Sequence, residues 1–140
     1  MVIEHVASPG RLFAEVSRVL KPRGHFVLHT PNVTGYTTAL ARLVPAPWRP
    51  RVAELLQGRR PEDVYPTHYR ANSIRALQCL ASAAGLDVVD LHTVTSSPQL
   101  FQVPVAGRLE NQWLRLLSND SFRALRPCII GVFARAGAAS

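Results

Sequence analysis

Val2-Ile3-Glu4-His5-Val6, then Ala7-Ser8-Pro9-Gly10, then Arg11-Leu12-Phe13-Ala14-Glu15-Val16-Ser17-Arg18-Val19-Leu20, then Lys21-Pro22-Arg23-Gly24, then His25-Phe26-Val27-Leu28-His29-Thr30-Pro31-Asn32: this stretch decides the fold. Its first five residues are short, apolar and β-branched, and read as the tail of a buried strand. Ser8-Pro9 is a helix start, the serine as cap and the proline at the first helical position. Leu12, Phe13, Val16, Val19 and Leu20 then share one helical face, with Arg11, Glu15 and Arg18 opposite. Lys21 complements the helix end, Pro22 stops it, and Gly24 is the turn residue free to take positive φ. Residues 25–30 read as a strand covered on both faces, ended by Thr30-Pro31-Asn32.

Working outward, residues 33–70 carry Pro45, Pro47, Pro50, Pro61 and Pro66 among Tyr36, Trp48, Tyr65 and Tyr69. Short helices are expected over 37–44, with Leu40, Leu43 and Val44 inward, and over 51–57. A long aromatic insert after a strand's carboxyl end reads either as a lid or binding loop or as a packed structural insert. Asn72 is expected to cap a helix over 73–84 whose buried stripe is Ile74, Leu77, Leu80, Ala81 and Ala84, with Gly85 ending it. Residues 86–95 read as an alternating strand. Residues 99–107 read as loop, and 108–118 as a helix with Leu109, Trp113, Leu116 and Leu117 inward. A turn of helix near 121–125 precedes a last strand over 128–135, where Gly131 signals a close backbone approach. The order is β-α-β-(insert)-α-β-α-β, an α/β pattern.

Composition bounds the function. The chain has 140 residues, 47% of them apolar, enough for one domain with a core. No apolar run reaches the about 18 residues that span a bilayer. No signal peptide is recognisable at the start, so the chain is placed in the cytoplasm. Cys79 and Cys128 lack zinc spacing and read as small core residues. Net charge is +7, from 15 arginines and one lysine against nine acids, spread without a dense block. That is read as a solvated basic surface rather than a nucleic-acid footprint. There is no phosphate loop and no nucleophile elbow. The five histidines form no metal-type pair, so no zinc site is expected.

Candidate chemistry lies at the carboxyl ends of strands, where ligands sit in open α/β sheets. Glu4 and His5 fall there, as does His29, while His68-Tyr69-Arg70 closes the insert. His25 and His92 are read as structural or exposed.

The run Val2-Ile3-Glu4-His5-Val6, then Arg18-Val19-Leu20-Lys21-Pro22-Arg23-Gly24, then a strand ending Thr30-Pro31-Asn32, resembles class I S-adenosylmethionine-dependent methyltransferases of the small-molecule branch. Arg23 departs from the pattern by replacing the first of two glycines. Tyr69-Arg70-Ala71-Asn72 and Ala84-Gly85-Leu86 are similar to the segment leading into the family's sixth strand. The resemblance implies a partial Rossmann-like sheet, family strands 4-5-7-6 with the last strand antiparallel, over 1–140, and a helical lid-like insert over 33–70. It implies S-adenosylmethionine as cofactor, with Ile3 and Glu4 at its edge. It implies His5 as catalytic base or acceptor contact, and Tyr36, His68 and Tyr69 around a small-molecule acceptor.

The family's glycine-rich loop and ribose-binding acid belong to strands before the fourth and are not in this sequence. The chain is therefore expected to be the C-terminal portion of the domain. It is expected to bind cofactor weakly or not at all alone, and to be inactive without the missing half. An unpaired strand edge at Val2-Ile3-Glu4 would favour self-association or a polypeptide supplying that half. The alternative is a non-catalytic binding or assembly module with a basic surface.

Overall fold

The computed structural model describes residues 2–48, 51, 68–96 and 104–135. Helix α1 spans Pro9–Val19, strand β1 His25–Pro31 and helix α2 Tyr36–Leu43. Helix α3 spans Ile74–Ala83, strand β2 Leu86–Val94, helix α4 Pro104–Leu117 and strand β3 Cys128–Arg135. Single 3-10 turns occupy Ile3–His5, Ala46–Trp48 and Asp120–Leu125. The helix expected over 51–57 and most of the loop expected over 99–107 lie outside the described residues, although α4 begins earlier than expected, at Pro104.

The sheet has three strands in the order β1-β3-β2, both pairs antiparallel. β1 and β2 therefore run parallel to each other, and both end at the edge where β3 begins. The antiparallel last strand agrees with expectation. The fourth strand does not form: Ile3–His5 is a 3-10 turn. A strand needs a ladder partner, and none lies beside these residues among the described ones. Local bonds serve instead, His5 N–H to the Val2 carbonyl at 3.0 Å and Val6 N–H to that of Ile3 at 3.2 Å.

The core lies on one face of the sheet, under α1 and α3. Phe13 of α1 meets Phe133 edge-on at 5.5 Å and Phe26 at 5.7 Å, and Leu77, Ala81 and Ile129 close around them, fully buried. Gly131 leaves room for this packing, since a Cβ there would stand 2.7 Å from the Phe133 ring. The opposite face of β1 is open: Val27 is 63% exposed and His25 and His29 are exposed. The expectation of cover on both faces fails because no described element packs there.

Other details depart from the pattern for local reasons. Ser8 makes no capping bond to α1. Asn72 does not cap α3; Ser73 does, accepting from Ala76 N–H at 3.2 Å, while Asn72 turns back to β1. Leu40 and Leu43 of α2 are exposed, so its expected inward face is not buried. In α4 the buried residues are Glu110, Leu114 and Leu117, while Leu109 and Leu116 face solvent. β2 carries a bulge between Val88 and Asp90, with Val89 the extra residue, which breaks its alternation. Cys79 is exposed and only Cys128 is buried. At the α1–β1 turn the positive φ falls on Arg23, at 61°, rather than on Gly24. Gly24 is needed for space instead, since a Cβ would meet the Lys21 carbonyl at 2.8 Å.

Two polar residues tie the ends of the strands together. Asn32, 2% exposed, donates from Nδ2 to the carbonyls of Arg126 at 2.8 Å and Ala124 at 3.0 Å. Its Oδ1 accepts from Thr34 N–H and Oγ1, and its carbonyl accepts from Thr38 Oγ1. Arg126 donates to the carbonyls of Leu117, Thr93 and Ser118 and pairs with Asp120 at 2.9 Å. The start of α2, the end of β2, the end of α4 and the start of β3 are thus fixed against one another.

Two stability tests follow from these contacts. Arg23→Gly should raise stability by about 0.5–1 kcal/mol by removing a side chain from a left-handed backbone. Asn32→Asp should cost about 2 kcal/mol or more, because a carboxylate offers two part-buried carbonyls no donor. Urea denaturation midpoints measure both.

Candidate functional site

Glu4, His5, Tyr36 and the backbone of His68 reach the same edge of the sheet, where β1 ends and β3 begins. The 3-10 turn directs Glu4 inward and leaves it 7% exposed. Its Oε1 stands 3.8 Å from His5 Nε2. Its Oε2 is buried and has no hydrogen-bond partner among the described residues. Leaving a carboxylate oxygen in that state is costly, and such an atom marks a place where a donor belongs.

The insert's far end docks on this turn. His68 N–H donates to the Glu4 carbonyl at 2.7 Å, and Arg70 Nη1 to the Ala7 carbonyl at 2.6 Å. His68 reaches the site through its backbone, and its side chain is exposed. Tyr69, 38% exposed, adopts φ 49°, a left-handed conformation that is uncommon for an aromatic residue. Ile3 is buried in the core beside Phe13 and Leu28, so it anchors the turn that carries Glu4.

Tyr36 opens α2 four residues past Asn32. Gly35 makes that start possible, since a Cβ there would stand 2.8 Å from the Arg126 carbonyl. Tyr36 Oη donates to Glu110 Oε1 at 2.7 Å, and its ring meets Trp113 edge-on at 6.4 Å. Burial first, and then the bond to Glu110, push the Tyr36 phenol well above its ordinary value. Cys128 is electrostatically coupled to Glu4 on one side and Tyr36 on the other. Burial raises its thiol, a hydrogen bond with Ser96 acts the other way, and the Glu4 carboxylate raises it further. The sequence pattern missed Glu110, because a glutamate on an amphipathic helix looks like a solvated residue.

His29 is exposed on β1, and His92 pairs with Asp90 at 2.9 Å; neither joins the edge cluster. A separate groove of about 590 Å3 lies between the start of α3 and the Asp120–Leu125 turn, lined by Thr34, Ser73, Arg75, Thr93 and Arg123 among others. It contains none of the residues expected at the site. The edge cluster is the stronger candidate, because a buried unpartnered carboxylate oxygen asks for a ligand and an open groove does not.

A buried acid, a histidine and a phenol thus gather at the carboxyl edge of a mixed α/β structure. Residues 1–91 match the sequence model of a methyltransferase domain, well over half of the chain, and the chain belongs to that family. No curated protein matches it. Among the described residues no helix is long and apolar enough to cross a membrane.

The raised Tyr36 value has a pH consequence of fixed sign. The folded protein holds this proton where the unfolded chain, near pH ~10, gives it up. The stability that Tyr36 contributes is complete below ~10 and is lost as pH rises beyond it. Tyr36→Phe should remove that alkaline loss, read as the difference between wild-type and variant urea midpoints on either side of pH ~10.

Proposed function

We propose that this chain supplies the acceptor side of a site that transfers a methyl group from S-adenosylmethionine to a small-molecule acceptor. The single observation that carries the reading is the buried, unpartnered Oε2 of Glu4 beside His5. A cationic cofactor rich in hydroxyl and amino donors fits such an atom. Glu4 would hold the cofactor's edge, with Ile3 fixing the backbone that carries it.

S-adenosylmethionine, when bound, supplies an activated methyl group on a sulfonium sulfur. The protein's task is then alignment and proton removal. His5, half-buried and held by Glu4, takes the proton from the acceptor's oxygen or nitrogen. Tyr36 and Tyr69, with His68 setting the turn, shape the pocket for that acceptor. A lid of the kind expected over residues 33–70 would exclude water from the transfer.

Titrating S-adenosylmethionine into the protein should move the ring resonances of His5 ahead of those of His25 and His92, and Glu4→Ala should abolish that order. In the assembled enzyme His5→Ala should lower kcat by about a hundredfold to ten-thousandfold. Equal movement of all histidines would sink the reading. So would no movement together with RNA binding that falls steeply with salt, which is the signature of a basic binding module.

A further inference from the structure

A groove that is merely open asks for no ligand, but one with uncompensated charge on its walls does. The groove of about 590 Å3 between the start of α3 and the Asp120–Leu125 turn is lined by Arg75, Arg123 and Arg126, and by one acid, Asp120. Asp120 pairs with Arg126 at 2.9 Å, and the other hydrogen bonds of that arginine go to the carbonyls of Leu117, Thr93 and Ser118. His92, also on the wall, faces Asp90 at 2.9 Å. The side chains of Arg75 and Arg123 have no hydrogen bond or ion pair among the described residues. One uncompensated positive charge thus stands on each side of the groove.

The groove is preformed. The carbonyls of Arg123 and Ala124 are held by the hydroxyls of Thr93 at 2.7 Å and Thr34 at 2.9 Å, and Asn32 adds its bonds to the carbonyls of Ala124 and Arg126. The turn that carries Arg123 is therefore fastened by its backbone to β2 and to the chain after β1, while its guanidinium is left unspent. Across the groove Ser73 Oγ accepts from Ala76 N–H, which leaves the hydroxyl proton free to donate. Ile74 and Leu91, both half-buried, add apolar surface. A groove of this size, with a few polar groups set among apolar ones, suits a small molecule.

Two guanidinium groups and a hydroxyl match a ligand group with several strong acceptor oxygens and more than one negative charge. A phosphate monoester has three such oxygens and a charge of about −1.5 to −2 at neutral pH. A carboxylate carries a single charge and answers one arginine. A nucleic acid would call for a stripe of cations, whereas the arginines of this chain are spread and an acid sits inside the groove itself.

We propose that this groove binds a small phosphate monoester. Arg75 and Arg123 close on the phosphate from opposite sides, Ser73 donates to it, and the apolar body of the ligand lies against Ile74 and Leu91. None of these residues takes part in the methyl-transfer reading, so the two stand or fall separately.

Phenyl phosphate, benzoate and benzyl alcohol, titrated into the 140-residue chain, test this by calorimetry and by the arginine Nε–H resonances. Phenyl phosphate should saturate and move the resonances of Arg75 and Arg123 ahead of that of Arg11, an exposed arginine outside the groove. Benzoate should bind about tenfold more weakly, and benzyl alcohol more weakly still. Arg75→Gln and Arg123→Gln should each weaken phenyl phosphate by about tenfold to a hundredfold, the effect of one charge-assisted hydrogen bond, and Arg11→Gln should leave it unchanged. Both groove arginines are exposed and their side chains bond no described residue, so neither substitution disturbs the fold.

No saturable binding of phenyl phosphate, equal movement of all arginine resonances, benzoate binding as tightly as phenyl phosphate, or an affinity that survives both substitutions would each overturn the proposal. So would RNA that binds with a steep salt dependence where phenyl phosphate does not, which would make these arginines part of a polyanion surface.

Discussion

Everything at the carboxyl edge depends on one asparagine. Asn32 follows β1 directly, is almost wholly buried, and has both polar atoms of its side chain engaged. Its amide holds the carbonyls of Ala124 and Arg126 in the approach to β3, and its own N–H bonds the Pro127 carbonyl at 2.7 Å. A buried polar network is stabilising only when its members are satisfied, and a satisfied one permits a single arrangement. Here that arrangement brings α2 hard against residues 126–127 at Gly35, and so sets where Tyr36 stands. Asn72 also ties in from the start of α3, donating to Thr30 Oγ1 and to the Pro31 carbonyl, although its own buried Oδ1 has no hydrogen-bond partner among the described residues. Two asparagines on consecutive sides of one strand end convert a sheet edge into a rigid platform.

Much of this fold was legible from pattern alone, and the exceptions share a cause. α1, β1, α3, β2 and β3 were readable because each carries a periodic apolar face bounded by Pro, Gly or a capping residue, and those are local properties. Residues 2–6 looked like a strand because Val2, Ile3 and Val6 have the right composition. A strand, though, is a relation between two segments, and no partner is beside this one among the described residues. In α4 the apolar residues Leu109, Trp113, Leu116 and Leu117 suggested one buried face, but of these only Leu117 is buried, together with Glu110 and Leu114. What rotates the helix is the demand of Tyr36 for an acceptor and of Trp113 for an edge contact, and both come from another part of the chain.

The same distinction explains the site. Glu4 and His5 were singled out as the end of a strand that does not form, and Tyr36 through the family resemblance; the structure brings all three to the edge where β1 ends. The left-handed turn at Arg23 was placed one residue off, on Gly24, since pattern identifies the turn but not which residue carries the unusual φ. Glu110 was not legible at all. Its burial comes from a contact 74 residues distant in sequence, and a glutamate gives no local sign of which side of a helix will be covered.

The two buried acids differ in a way that assigns their tasks. Glu110 accepts from the Tyr36 hydroxyl at 2.7 Å. Glu4 has a buried oxygen with no such donor among the described residues, in a turn pinned by His68 from behind and by Ile3 in the core beneath. Such an atom is tolerated in a folded protein when something outside the fold completes it. The edge therefore divides into a half that is finished in itself, Tyr36 with Glu110 and Trp113, and a half that is finished only with a bound donor, Glu4 with His5. The unpartnered oxygen of Glu4 is the feature on which the proposed methyl transfer rests, and His5, 3.8 Å from the same carboxylate, is the group to which that proposal gives the proton.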